Sequence, residues 1–196
     1  MKKFKNKYRI PSTRLPHWDY ARNAAYFITI CTRHRVHYFG EVVDGGMVLS
    51  EIGAIVQSEW LKTFEMRPDM NLWQGAYVVM PDHFHAIIGI GDNAYNSKNK
   101  THRRDAMHCV STSDHKNKST SPKNKFGPQS KNLASIIRGF KIGVTKNARL
   151  INPDFEWQSR YHDHIIRNEK SFQSISNYII HNPAKWQDDK LYPSDL

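Results

Sequence analysis

Leu72-Trp73-Gln74-Gly75-Ala76-Tyr77-Val78-Val79-Met80 and His83-Phe84-His85-Ala86-Ile87-Ile88-Gly89-Ile90 are separated by two residues, Pro81-Asp82. Both runs are rich in β-branched and aromatic residues, which suit a pleated, half-buried surface, so both read as strands. Pro81-Asp82 supplies the turn, and the two strands are expected to run antiparallel. Side chains alternate between the faces of a strand. His83 and His85 therefore project together, roughly 6–7 Å apart along the backbone, and Phe84 points away into a core.

Upstream, Ala24-Ala25-Tyr26-Phe27-Ile28-Thr29-Ile30-Cys31 reads as another strand. Residues 39–49 form two short apolar runs around Asp44-Gly45-Gly46, a hairpin signal. Ser50 is an N-cap candidate for a helix whose apolar positions are Ile52, Ile55, Val56, Trp60, Leu61 and Phe64. That helix must end before Pro68, because proline disfavours helical geometry in the residue preceding it. Downstream, residues 92–131 are rich in Asn, Ser, Lys and Thr and read as a flexible basic insertion. From Asn132 onward a helix carries Leu133, Ile136, Ile137, Phe140 and Val144 on one face. Trp157 and residues 163–167 indicate a short fourth strand. Residues 169–181 form a last helix with Phe172, Ile175, Ile179 and Ile180 as buried positions. The order gives an α+β, ferredoxin-like βαββαβ sandwich, an antiparallel sheet with helices on one face, followed by a C-terminal tyrosine-bearing helix. The expected organisation is a basic arm over 1–22, one domain made of 23–91 and 132–196, and the insertion at 92–131.

The chain has 196 residues, of which 39% are hydrophobic and 24% charged, enough for one domain with a core. It contains no apolar run of about 18 residues, so no membrane-spanning helix is expected. Two cysteines, Cys31 and Cys109, are too few for a disulfide framework and point to a reducing cytoplasm. The net charge of +11 indicates a polyanionic partner. Residues 1–10 contribute +5 and residues 98–131 contribute +7, which leaves about −1 for the rest of the chain. The positive charge thus lies in two segments that act as solvated tails or as arms gathering DNA by counterion release.

Two histidines on one strand face can converge on a cation, although a structural pair is equally compatible with the motif and a third ligand is needed. Near the C-terminus, Tyr178 and Asn182 are four residues apart in Asn177-Tyr178-Ile179-Ile180-His181-Asn182-Pro183. A helix puts them on one face, about 6 Å apart along its axis. A phenol can be a nucleophile and an amide oxygen a hard metal ligand. Taken alone, the same residues also suit a packing tyrosine and a helix C-cap.

Together the motifs resemble the single-tyrosine transposases of small insertion sequences, and among them the REP-associated tyrosine transposases. These are HUH endonucleases, named for the pattern His-hydrophobe-His that His83-Phe84-His85 repeats. Tyr178, in the context Tyr-Ile-Ile-His-Asn-Pro, falls where this family places its nucleophile. Asn182 falls where it places its third metal ligand. Residues 157–167 resemble the segment before the family's tyrosine helix, and Tyr8 to Tyr20 its N-terminal arm. The resemblance covers about residues 8–91 and 132–190.

It implies a metal-dependent enzyme holding Mg²⁺ or Mn²⁺ through His83, His85 and Asn182. That enzyme would nick and rejoin single-stranded hairpin or repeat-associated DNA through a 5′-phosphotyrosine on Tyr178. It further implies a bacterial cytoplasmic, nucleoid-associated protein acting as monomer or homodimer. Arg14, Trp18, Tyr20, Arg138, Lys141, Arg160, Tyr161 and His164 are the candidate DNA contacts, the aromatics as stacking platforms or, the more common case, as buried packing residues. His181, His164 and Lys185 lie near Tyr178 in sequence, and the sequence does not assign the base among them. Two other readings use the same residues: a nucleic-acid-binding module without chemistry, and a metal hydrolase using a bound water. A relaxase-like nickase would keep the chemistry and change the biology.

Overall fold

The computed structural model describes residues 3–4, 7–8, 14–15, 18–97 and 130–188. Most of the 92–131 insertion, Cys109 and the chain end therefore lie outside the described residues. Among the described residues the main sheet comprises β1 (Ala24–Cys31), β2 (Leu72–Met80), β3 (His83–Ile90) and β4 (His162–Ile166). Their order across the sheet is β2-β3-β1-β4, with every neighbouring pair antiparallel. The helices are α1 (Glu51–Glu65), α2 (Leu133–Ala148) and α3 (Glu169–Ile180). The sequence of elements is the expected βαββαβ followed by one more helix.

The two faces of the sheet are covered separately. Tyr26, Ile28 and Ile30 of β1 and Phe84, Ala86, Ile88 and Ile90 of β3 join one core with α1 and α2. Trp60 of α1 lies 5.0 Å from Phe84 and 5.5 Å from Phe140 of α2, ring centre to ring centre, an aromatic joint between sheet and helices. The intervening residues face the other way. There Ile87, Ile166 and Ile179 form a second cluster under α3, with Phe27, Val78, Phe172 and Ile175 packed against it. β3 is buried along its whole length because helices cover both faces. The apolar periods of α1 and α2 agree with this packing, except that Leu61 is exposed. It lies on the outer side of α1, beyond the stripe of Ile52, Val56, Trp60 and Thr63.

Local signals explain where the helices begin. Ser50 Oγ accepts from Gly53 N at 3.0 Å, and Asn132 and Ser135 form a reciprocal capping box on α2. Asn168 Oδ1 accepts from Ser171 N at 2.8 Å at the start of α3. Between β1 and α1, Gly40–Val43 and Gly46–Leu49 form the expected hairpin. Its turn residues Asp44 and Gly45 have φ of 51° and 74°, the left-handed pair that matches strand twist.

Three boundaries differ from the sequence reading. Ile180 is 62% exposed rather than buried, since it turns outward in the last turn of α3 while Ile179 faces the sheet. Residues 92–97 carry defined structure: Asn96 is buried and donates to Ala21 O and Gly91 O. Likewise Tyr20, placed in the N-terminal arm, is buried, and its carbonyl accepts from Leu133 N at 3.0 Å. Among the described residues no helix is long and apolar enough to cross a membrane.

Truncating Phe84 to Ala should destabilise the protein by roughly 3–5 kcal/mol, the cost of a cavity at a large core aromatic. Ser50→Ala should cost about 1 kcal/mol through the lost cap. Urea denaturation of the three proteins tests both values.

Candidate active site

The site lies on the α3 face of the sheet, at the end of β3 next to the β2–β3 link. His83 and His85 are both buried, their ring centres 4.4 Å apart and the rings inclined at 70°. The alternation read from the sequence therefore does bring the two imidazoles together. Each is fixed through its Nδ1 atom. His83 Nδ1 donates to Asp82 Oδ1 at 2.7 Å. His85 Nδ1 lies 2.8 Å from Thr29 Oγ1, on the neighbouring strand. Both Nε2 atoms are left for the site. His83 Nε2 is buried and has no hydrogen-bond partner, an uncommon state for a buried polar atom. His85 Nε2 lies 3.2 Å from the Tyr178 hydroxyl.

Tyr178 reaches this position because α3 crosses the sheet with its apolar side down. Phe172 packs 6.1 Å from Trp73, whose indole lies over Gly89. A Cβ at Gly89 would stand 1.7 Å from that indole, so only glycine allows the close approach. Further along α3, Tyr178 meets Phe27 edge-on at 6.1 Å and His85 at 5.3 Å between ring centres. The side chain remains 45% exposed, open to a ligand approaching from solvent. Asn182 is buried just beyond the helix, two residues past Ile180. It lies in the segment that runs from Tyr178, against His85, to Trp186, whose ring centre is 5.7 Å from that of His83 with the planes inclined at 34°.

These residues fit a hard divalent ion in several respects. Neutral imidazole nitrogens bind metal, and burial, reinforced by the neighbouring His83 and Arg35, holds the His85 pKa well below its ordinary 6.5. Each ring has its other nitrogen hydrogen-bonded, the usual arrangement around a metal-binding histidine. Among the described residues no three His, Cys, Asp or Glu side chains cluster as a metal centre. A complete set here therefore depends on another donor such as an amide oxygen, and Asn182, buried just beyond α3, is the residue the sequence reading names for it.

The sequence reading missed Asp82, Arg35 and Thr29, which support the histidines. Asp82, read as a turn residue, is fully buried and paired with Arg35 Nε at 2.8 Å. Its adjacency to His83 was a signal; Arg35 lies 47 positions away and gave none. Cross-strand register also places His162 opposite Thr29 and His164 opposite Phe27. Directly opposed residues share a face, so both exposed histidines border the site.

The other proposed DNA contacts divide into two groups. Arg138, Lys141, Arg160 and Tyr161 line an open cleft of about 1180 Å³ between α2 and the segment before β4. Its described lining also includes Arg33, Arg35, Lys146 and Arg149, against one acid, Glu156. Lys141 donates to Gln158 O at 2.8 Å and Arg160 O at 3.1 Å, and burial lowers its pKa to about 8. Arg14, Trp18 and Tyr20 instead pack at the β4 edge. Arg14 bonds the Tyr161 hydroxyl and lies over the Tyr20 ring, and Trp18 Nε1 donates to the Tyr26 hydroxyl. Tyr20, 8% exposed and stacked on Tyr26, has no free face for a base.

No protein-family model matches the sequence. An uncharacterized protein of Haemophilus influenzae is 34% identical over 182 residues, which span 92% of each chain. The chain belongs to the same family as that protein. The fold is shared with a solved REP-associated tyrosine transposase bound to a REP hairpin. The two structures superpose with a TM-score of 0.55 at 20% identity, over 90% of this chain and 76% of the other. The fold expected from the sequence is thus met by a solved structure of the kind the motifs resemble.

His85 gives the site a pH signature. The unfolded chain protonates this residue near pH 6.5, whereas the folded protein keeps it neutral to lower pH. The unfolded state therefore binds more protons in that interval, so stability is retained above about pH 6.5 and declines below it, by up to about 1.4 kcal/mol per pH unit. His85→Gln should flatten that part of the profile, as read by chemical denaturation between pH 7.5 and 5.

Proposed function

We propose that this protein is a metal-dependent, single-tyrosine DNA strand transferase that nicks and religates single-stranded hairpin DNA. The observation that carries the reading is the Tyr178 hydroxyl at 3.2 Å from His85 Nε2, beside a second buried imidazole with an unpartnered nitrogen. Support also comes from the shared fold with a transposase whose solved structure contains a REP hairpin.

In this reading Tyr178 Oη attacks a backbone phosphorus, the P–O3′ bond breaks, and the 3′-hydroxyl leaves. The strand stays joined to the protein as a 5′-phosphotyrosine. A 3′-hydroxyl then attacks the same phosphorus and releases the tyrosine. One phosphodiester is exchanged for another of similar energy, so no nucleotide cofactor is consumed. His83, His85 and Asn182 would hold Mg²⁺ or Mn²⁺, which supplies Lewis-acid stabilisation of charge on the phosphate when bound. A free tyrosine ionises near pH 10, so its proton must be accepted as attack proceeds. His85 Nε2 is the acceptor the phenol contacts here, but a bound cation takes that lone pair, so in the loaded site the proton would pass to water at the exposed side of Tyr178. Cation binding therefore competes with the Tyr178–His85 hydrogen bond. The exposed His162 and His164, on the same face, would meet the phosphates flanking the scissile one.

The cationic cleft supplies a path for the rest of the DNA. Its arginines and lysines neutralise phosphates without reading sequence, and Tyr161 adds an aromatic surface at its wall.

Tyr178→Phe should abolish the covalent adduct with labelled hairpin DNA on a denaturing gel and leave hairpin binding intact. Adduct formation by the variant would overturn the assignment, and free cleaved products without any adduct would favour the hydrolase reading. Removing the phenol also removes the competitor for His85 Nε2. Mn²⁺ should therefore bind Tyr178→Phe up to about fivefold more tightly, the value of a hydrogen bond near 1 kcal/mol.

Arg138→Ala should weaken binding to hairpins of unrelated sequence to a similar degree. It should also lower the slope of log affinity against log salt by about 1, as measured by fluorescence anisotropy.

A further inference from the structure

Asp82 occupies the two-residue link between β2 and β3, where a carboxylate would ordinarily face water, yet it is fully buried. Two partners share it. His83 Nδ1 donates to Oδ1 at 2.7 Å. Arg35 grips both oxygens, Nη2 to Oδ1 at 3.1 Å and Nε to Oδ2 at 2.8 Å. Such two-point pairing fixes the plane of the carboxylate and offsets its buried charge.

The backbone that delivers Arg35 is strained. His34 and Arg35 have φ of 54° and 59°, successive left-handed conformations that non-glycine residues adopt at an energetic cost. The turn is tied on both sides. Thr32 Oγ1 donates to Val36 O at 2.8 Å and Asp82 O at 3.0 Å, and Arg33 N donates to Glu156 O at 2.9 Å. The fold thus maintains an unfavourable turn, and the guanidinium it delivers lies on the carboxylate behind a histidine.

We propose that Asp82, clamped by Arg35, is the positioning residue for His83, holding its proton on Nδ1 so that Nε2 presents a lone pair to the site. The inference rests on the reading of the site as a cation centre. A carboxylate can only accept, so the proton between Asp82 and His83 belongs to the imidazole, and the neutral ring then has its lone pair on Nε2. That is the buried atom without a partner. An asparagine at position 82 would present an amide that can donate to Nδ1. The ring proton would then move to Nε2 and block the ligand position. Arg35 acts one step further back, orienting the carboxylate. Since Arg35 also lines the cationic cleft, the two features meet at one side chain.

The test uses the full chain, labelled with ¹⁵N-histidine and free of metal. Long-range ¹H–¹⁵N spectra should show His83 as the Nδ1–H form in the wild type and shifted toward Nε2–H in Asp82→Asn. Calorimetric titration with Mn²⁺ should show affinity reduced about ten- to a hundredfold in Asp82→Asn, with Arg35→Lys between that variant and wild type. An Nε2–H form of His83 in the wild type overturns the proposal. So does wild-type Mn²⁺ affinity in an Asp82→Asn protein whose near-ultraviolet dichroism shows it folded. Should that variant fail to fold, the wild-type spectrum and Arg35→Lys decide. A wild-type protein that takes up no Mn²⁺ sinks the cation reading, while the spectra alone settle the His83 assignment.

Discussion

The structure depends on the two-residue period of a strand that is buried on both sides. Along β3, Phe84, Ala86, Ile88 and Ile90 enter the core beneath α1 and α2, while His83, His85 and Ile87 face α3. A slip of one residue would send the histidines into an aromatic core and the phenylalanine into the site. Phe84, in contact with Trp60 and Phe140, makes that slip costly. The packing that stabilises the domain is thus the same constraint that aims the candidate ligands.

Burial of these imidazoles has chemical consequences. It disfavours the charged form of His85 and demands partners for every polar atom nearby. Thr29, Asp82 and Arg35 answer that demand on the side away from the site, and Tyr178 answers part of it on the side facing solvent. His83 Nε2 is left over. The asymmetry gives the centre a direction, with supporting groups behind the rings and open valence in front.

A second division separates this centre from the cleft along α2. The cleft is strongly cationic and spacious, and it touches the histidine centre through Arg35. Some of its charge is structural as well: Lys141 secures the segment before β4 through two carbonyls, and Arg33 pairs with Glu156. The positive surface therefore holds part of the fold together while remaining available to a polyanion. The charge of the core was hidden in the sequence because acids elsewhere in the domain cancel it in the sum.

Amino-acid order alone determined the strands, the helix starts and the facing of His83 and His85, because alternation, caps and proline are local effects that neighbouring residues impose. The partial exposure of Tyr178 and the outward turn of Ile180 were not local, since both follow from how α3 lies on the sheet. Tertiary structure also decided that Asp82 would be buried, that Arg35 would reach it across 47 positions, and that His162 and His164 would border the site. These outcomes required strand order and register, and pairing between β1, β3 and β4 is a long-range contact that no short window of sequence encodes.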